Sequence, residues 1–154
     1  MKIRSQDQEI MSDLLDSLKN SPGVLEVPVA ASVYDQNQKQ VAIAHNLREL
    51  TSEPSANAEI VALRKVGQVF GNWNLEGFTI YVTLEPCLMC AGAILQSKIN
   101  RVVFGAFNPE TTSQSSIELL RNANPQLEVV GGVNEEECST YLTQWFSQQR
   151  KIKR

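Results

Sequence analysis

The chain has 154 residues, of which 42% are hydrophobic and 20% are charged, and its formal net charge is −3. This composition is ordinary for a globular protein with one core, and it predicts a single domain over residues 1–154. The weak negative charge does not suggest a general nucleic-acid coat protein. No apolar run is long enough for a membrane helix, so we expect no membrane partner and a cytoplasmic location. Three cysteines are an odd number, which argues against a disulfide framework.

Helical and strand patterns alternate along the whole chain. In chain order, the predicted elements are an amphipathic helix ending near Asn20, strands over 27–33 and 41–44, a helix from about Asn57, a buried strand over 78–84, a helix from Pro86 to about Lys98, a strand over 101–105, a loop over 111–116, a short helix, a strand over 127–130 and a last helix. Five strands with intervening helices predict an α/β fold, arranged as a three-layer α/β/α sandwich around a five-stranded mixed sheet.

Two cysteines lie three residues apart at the predicted start of a helix. Cys87 and Cys90 can face the same point, and the helix N-terminus favours the thiolate form that binds metal. A catalytic zinc needs three protein ligands and an open position for water. The third ligand would come from Asn57, at the start of the preceding helix. Glu59 would not bind metal, but would take a proton from the water and deliver it to a departing amine.

This layout is similar to that of the zinc-dependent nucleobase deaminases, a resemblance of the motif and not a deduction from spacing. A redox-active cysteine pair is one alternative, but it leaves Glu59 without a role. A structural zinc site is another, but it needs a fourth ligand, and only Cys138 and His45 are left. Cys138 shares a helical stripe with large apolar residues, which predicts a buried position. The His45 side chain would point away from that of Asn46 if one strand continued through both.

From about residue 13 to residue 151, the chain resembles the bacterial tRNA-specific adenosine deaminases of the TadA type. The segments that carry the resemblance are Glu-Val-Pro-Val at 26–29, Asn-Ala-Glu-Ile at 57–60, the run Tyr-Val-Thr-Leu-Glu-Pro-Cys-Leu-Met-Cys-Ala-Gly-Ala at 81–93 and Arg-Val-Val-Phe-Gly-Ala at 101–106. The resemblance implies a cytidine-deaminase-like fold, a homodimer and conversion of the wobble adenosine of a tRNA anticodon to inosine.

The resemblance also implies roles for individual residues. Asn57, Cys87 and Cys90 match the positions of the zinc ligands, and Glu59 matches the proton shuttle. Asn46 matches a contact to the target nucleoside.

An adenosine of an anticodon loop can leave its stack and enter a pocket. Val27 could form an apolar wall of that pocket, and Phe146 could stack on a nucleotide. Both also fit a hydrophobic core, which we prefer as their first interpretation.

Asn57 departs from the family, whose members have histidine at this position. An amide oxygen is a poorer zinc ligand than an imidazole, so we expect weaker zinc binding and impaired activity. Asn57 is compatible with an engineered substitution, a natural variant with a weakened site, or a pseudo-enzyme. Glu59, Cys87 and Cys90 are intact, which argues against the pseudo-enzyme. The sequence does not separate the first two explanations.

Asn108 is the second departure, because family members commonly have aspartate there. An amide in place of a carboxylate removes repulsion from phosphate, and we hypothesise an altered preference between RNA and DNA. The alternative, which we prefer, is a plain Asn-Pro turn.

Two other classes of function stay open. One is a deaminase of free bases or nucleosides, which shares the fold and the cysteine pair. The other is a non-catalytic tRNA-binding or dimer partner. The segment at 26–29 and the basic residues at 150–154 favour the tRNA branch over free bases.

Overall fold

The computed structural model describes residues 2–21, 25–109 and 115–152. Most of the predicted loop over 111–116 and the last two basic residues, Lys153 and Arg154, lie outside these ranges. The described helices are α1 Ser5–Lys19, α2 Arg48–Thr51, α3 Ala58–Phe70, α4 Leu88–Ser97, α5 Ser116–Ala123 and α6 Glu135–Ile152. The described strands are β1 Ala30–Tyr34, β2 Gln40–His45, β3 Thr79–Leu84, β4 Arg101–Ala106 and β5 Glu128–Val130.

The five strands form one mixed sheet in the order β2-β1-β3-β4-β5. The β1–β2 hairpin is antiparallel, and β1 also runs antiparallel to β3. Strands β3, β4 and β5 are parallel to one another. The α/β class and the mixed five-stranded sheet are therefore confirmed.

Successive side chains of the central strands alternate between two hydrophobic clusters, one on each face of the sheet. Ile80 and Val82 pack in a cluster that includes residues of α3, α4 and α5, whereas Tyr81 packs with residues of α1 and with Cys138 of α6. Because both faces of the sheet are covered, residues 80–83 of β3 and all of β4 are buried. The helices thus form the two outer layers, and Cys138 is buried as predicted.

Helix α1 is fixed to the sheet by a buried ion pair. The Nη1 and Nη2 groups of Arg101 donate to the two oxygens of the Asp7 carboxylate, at 2.7 and 2.8 Å. The Tyr81 hydroxyl donates to the same carboxylate at 3.0 Å. Burial alone would raise the pKa of Asp7, but the hydrogen bonds from Arg101 and from the Arg4 N–H outweigh it and hold that pKa below its ordinary value.

Two predicted boundaries differ from the structure, and one helix was not predicted. The first strand begins at Ala30 and not at Val27, because Pro28 has no N–H for a strand ladder. The short helix α2 was not predicted from its polar sequence. Pro86 lies before the cap residue Cys87 and not in the first turn of α4. Within the described residues, no helix is both long and apolar enough to cross a membrane.

Candidate active site

The N-termini of α3 and α4 meet at the end of β3 and form the floor of a cleft. Asn57 is the cap residue of α3, and Cys87 is the cap residue of α4. The Asn57 Nδ2 atom lies 3.4 Å from the Cys87 Sγ and 3.4 Å from the Cys90 Sγ. The three predicted metal-site residues therefore converge on one point.

A cap asparagine normally accepts a hydrogen bond from its own helix, but the Asn57 side chain makes no such bond. Instead, the Asn46 Oδ1 atom accepts the Ala58 N–H at 2.7 Å, from twelve residues upstream. The Asn46 Nδ2 group donates to the Val27 carbonyl at 3.1 Å. Asn46 thus supplies the hydrogen-bond acceptor for the first N–H of α3, and the Asn57 amide can face the sulfurs.

The two thiols differ in ionisation. A hydrogen bond from Cys90 lowers the pKa of Cys87 below that of an ordinary thiol, and nearby backbone N–H groups and the Asn57 amide act in the same direction. The same bond and burial raise the pKa of Cys90. These shifts make Cys87 the more acidic of the two thiols. Two helix N-termini aimed at the pair favour negative charge there.

Glu59 is 4% exposed and is the second residue of α3, two positions after the cap residue Asn57. Burial raises the pKa of Glu59 to about 7, which brings its protonated and ionised forms close in free energy at neutral pH. A carboxyl of this kind can both accept and donate a proton.

The cleft above this floor has a volume of about 440 Å³, within the usual range for small-ligand sites. Every predicted site residue except Cys90 lines it, and Cys90 is fully buried behind the floor. Val27 is half-buried, and Phe146 is 44% exposed, so Phe146 is not a core residue and that preferred interpretation was wrong. The lining residues are Val27, Val29, Asn46, Arg48, Asn57, Glu59, Leu84, Glu85, Cys87, Ala106, Phe107, Asn108, Pro109, Ser139, Leu142, Thr143 and Phe146.

Sequence reasoning missed Arg48 and Glu85 as lining residues. Glu85 is buried, and its Oε1 accepts the Asn108 N–H at 3.0 Å, which holds the loop after β4 against the cleft. Its place directly before Pro86, inside the 81–93 run, was an available signal. Arg48 offered no local signal, because it lies in a polar stretch without periodicity.

His45 lies outside this cleft. Its Nε2 atom is 3.0 Å from the Ser17 hydroxyl, and it lines a separate apolar cleft beside Trp145. Burial lowers the pKa of His45, and the charge of Lys65 adds to this effect. His45 is therefore not a third ligand for the Cys87–Cys90 pair.

The positions of three side chains fit a zinc site, but one of them, the Asn57 amide, is a poor zinc ligand. The side chains of Cys87, Cys90 and Asn57 meet at one point, as three ligands of one ion must. The Asn57 amide points its NH₂ group at the sulfurs, so it can bind a cation only by turning its oxygen inward. Among the described residues, no group of three or more His, Cys, Asp or Glu side chains could hold a metal ion.

Fold and site together define a deaminase of the zinc-dependent class. Residues 4–106 match the family described as the cytidine and deoxycytidylate deaminase zinc-binding region. The chain is 42% identical over 153 residues to a tRNA-specific adenosine deaminase of Bacillus subtilis (strain 168), covering 97% of this chain and 94% of that protein. A Haemophilus influenzae protein of the same name is 40% identical over 157 residues, covering 99% of this chain and 91% of that protein. The chain belongs to this deaminase family and, within it, to the tRNA-specific adenosine deaminases.

Solved structures agree with this assignment. A structure from studies of A-to-I editing by tRNA:A34 deaminases aligns with a TM-score of 0.73 and 28% identity, covering 89% of this chain and 99% of that one. A guanine deaminase from Nitrosomonas europaea aligns with a TM-score of 0.80 but only 18% identity, covering 94% of this chain and 86% of that one. The second likeness shows the fold alone.

Proposed function

We propose that this chain hydrolyses the wobble adenosine of a tRNA anticodon to inosine, with activity impaired by Asn57. The observation that carries the proposal is the meeting of Asn57, Cys87 and Cys90 at one point, with the Glu59 carboxyl buried beside them. Relatives named tRNA-specific adenosine deaminase support the choice of substrate.

In the proposed reaction, water adds to C6 of adenine and ammonia leaves. Zinc, held by Cys87, Cys90 and the Asn57 amide oxygen, would supply the Lewis acidity that makes the water a better nucleophile. Glu59 accepts a proton from the attacking water and returns one to the departing amine. The walls of the cleft exclude bulk water from the carboxyl. Val27, Asn46, Asn108 and Phe146 are the proposed contacts to the nucleoside and its neighbours, supported by their place in the cleft lining.

The Asn57 amide is the proposed cause of impairment. It is a neutral oxygen ligand where a nitrogen ligand binds zinc better, and it must also give up its hydrogen bonds to both sulfurs. We expect Asn57→His to tighten zinc binding by at least about tenfold, since even a partner outside the ligand shell contributes that much.

The test measures zinc per chain and inosine formed in an anticodon stem-loop, for the protein and for its Asn57→His variant. We expect weak zinc retention and slow deamination in the first, and near-stoichiometric zinc with faster deamination in the second. Glu59→Gln in the Asn57→His background is the matched control, which should keep zinc and lose deamination.

The other outcomes separate the alternatives. Zinc uptake and RNA binding without any deamination by Asn57→His would favour the non-catalytic tRNA-binding partner. Deamination of guanine, cytosine or nucleosides, but not of the stem-loop, would favour the small-substrate deaminase. Absence of zinc from both proteins would contradict the zinc mechanism.

We also propose a homodimer that uses the exposed face of α4. Leu88 and Met89 are 56% and 42% exposed, although both are large and apolar. A Cβ atom added at Gly92 would meet nothing within 4 Å, so this face permits close approach of a second helix. We further propose that residues 1–154 act as one domain, in the cytoplasm, where a tRNA substrate is available.

A further inference from the structure

The cleft that would receive the nucleotide is poor in positive charge. Among the described residues that line it, Glu59 and Glu85 contribute carboxyl groups, and Arg48 is the single cation. Both carboxyls are buried near the floor, whereas Arg48 is exposed. Among these lining residues, Arg48 is therefore the one cationic partner for the phosphates of a strand that delivers a base to the floor.

The Arg48 side chain is available for a ligand. Within the described part of the chain, it makes no hydrogen bond or ion pair, whereas Arg64 binds Glu53 at 3.1 Å and Lys65 binds the Ile43 carbonyl at 2.8 Å. Glu49, the next residue, lines the separate apolar cleft and not the cleft of Arg48. The two charges thus face different clefts across the same short helix.

The backbone that carries Arg48 is fixed by contacts from distant segments. The Glu26 carboxylate accepts the N–H groups of Glu49 and Leu50, at 2.8 and 3.0 Å. The Leu47 N–H donates to the Ala56 carbonyl at 2.9 Å. A free guanidinium on an anchored backbone can bind a ligand while losing only side-chain entropy.

We propose that Arg48 binds a backbone phosphate next to the target nucleotide and holds the strand at the rim while the base enters the cleft. A guanidinium suits this role because it can pair with two oxygens of one phosphate. The inference rests on the proposed function, since it requires a nucleic-acid substrate. It adds a phosphate-binding residue outside the segments that carry the family resemblance.

The test is the salt dependence of binding to a fluorescently labelled anticodon stem-loop, for the protein and its Arg48→Gln variant. Loss of one phosphate contact to single-stranded nucleic acid should reduce the slope of log K against log salt by about 0.7. At low salt, we expect about tenfold weaker binding. This deficit should shrink about fivefold when the salt concentration rises about tenfold.

Two further variants control for charge and position. Arg48→Lys keeps the charge and should restore the slope, with some loss of affinity from the lost bidentate geometry. Lys39→Gln removes the same charge at the far end of the β1–β2 hairpin and should leave the slope unchanged. The zinc content of Asn57→His should not change when Arg48→Gln is added, because Arg48 is exposed and is not one of the residues that would hold zinc.

The failures are distinguishable. If the protein binds the stem-loop and Arg48→Gln keeps the full slope, this inference is overturned and the proposed function stands. If the protein binds no stem-loop at low salt, the proposed tRNA substrate is overturned and this inference with it. Loss of zinc when Arg48→Gln is added to Asn57→His would also overturn it, since Arg48 would then act on the floor of the cleft.

Discussion

Replacing Asn46 by alanine tests whether this residue builds the site or only contacts the substrate. Asn46 is 8% exposed and bridges the Val27 carbonyl and the Ala58 N–H. Ala58 is fully buried, so its N–H would be left without a partner, at about 1–3 kcal/mol, and the bond to Val27 adds about 1 kcal/mol. The expected total is about 3 kcal/mol, or about 6–12 °C in Tm for a chain of this length.

Thermal and urea unfolding followed by circular dichroism would measure this loss. Asn74→Ala is the matched control, because the Asn74 side chain accepts only the N–H of Glu76, at 3.1 Å in an exposed turn. We expect that control to change stability by about 0.5 kcal/mol or less. In the Asn57→His background, Asn46→Ala should also weaken zinc binding, because the start of α3 carries residue 57.

Equal stability of Asn46→Ala and Asn74→Ala would refute this reasoning. A stable Asn46→Ala variant that loses only substrate affinity would return Asn46 to the role that the family resemblance implies. Asn46→Asp separates the two bonds, since it keeps an oxygen for the Ala58 N–H but sets a carboxylate against the Val27 carbonyl. We expect it to unfold at an intermediate free energy.

Two further predictions concern stability and assembly. Folding lowers the pKa of Asp7 below its ordinary value of 3.8. Ionised Asp7 therefore stabilises the folded protein fully above pH 3.8, and this stability is lost as the pH falls through the pKa of the folded state. Asp7→Asn should lower the free energy of unfolding by about 3–5 kcal/mol at pH 7. It should also reduce the fall in that free energy at acid pH, measured by urea unfolding, and an unchanged fall would contradict this. Gly92→Glu should give a folded monomer in sedimentation velocity, and a persistent dimer would place the interface elsewhere.

Helices and strands with regularly spaced apolar residues were predictable from the sequence, because the spacing itself shows which side chains are buried. The alternation along β3 and β4 follows from two helical layers that each need an apolar face. The stripe that buries Cys138 in α6 is a local pattern of the same kind. The family motif added what periodicity lacks, namely that residues 57, 59, 87 and 90 meet.

Features that depend on contacts between distant segments were not predictable. Helix α2 has no apolar period, and the Glu26 carboxylate that fixes it comes from more than twenty residues upstream. A local capping rule would have the Asn57 side chain cap its own helix, but Asn46 bonds to the start of α3 instead. Phe146 is 44% exposed although Leu142 of the same stripe is buried, so the stripe alone does not predict the burial of Phe146.

Helices α3 and α4 contribute to one hydrophobic cluster behind the site. Val61 and Ala62 of α3 belong to the same core cluster as Ala91 and Ile94 of α4. At the starts of these two helices, the Asn57 amide donates to both sulfurs. A histidine at the same position would present a lone pair to a cation instead of an N–H group to the sulfurs. The identity of residue 57 therefore sets how well this junction can hold zinc, which is the difference that zinc content of the chain and of Asn57→His measures.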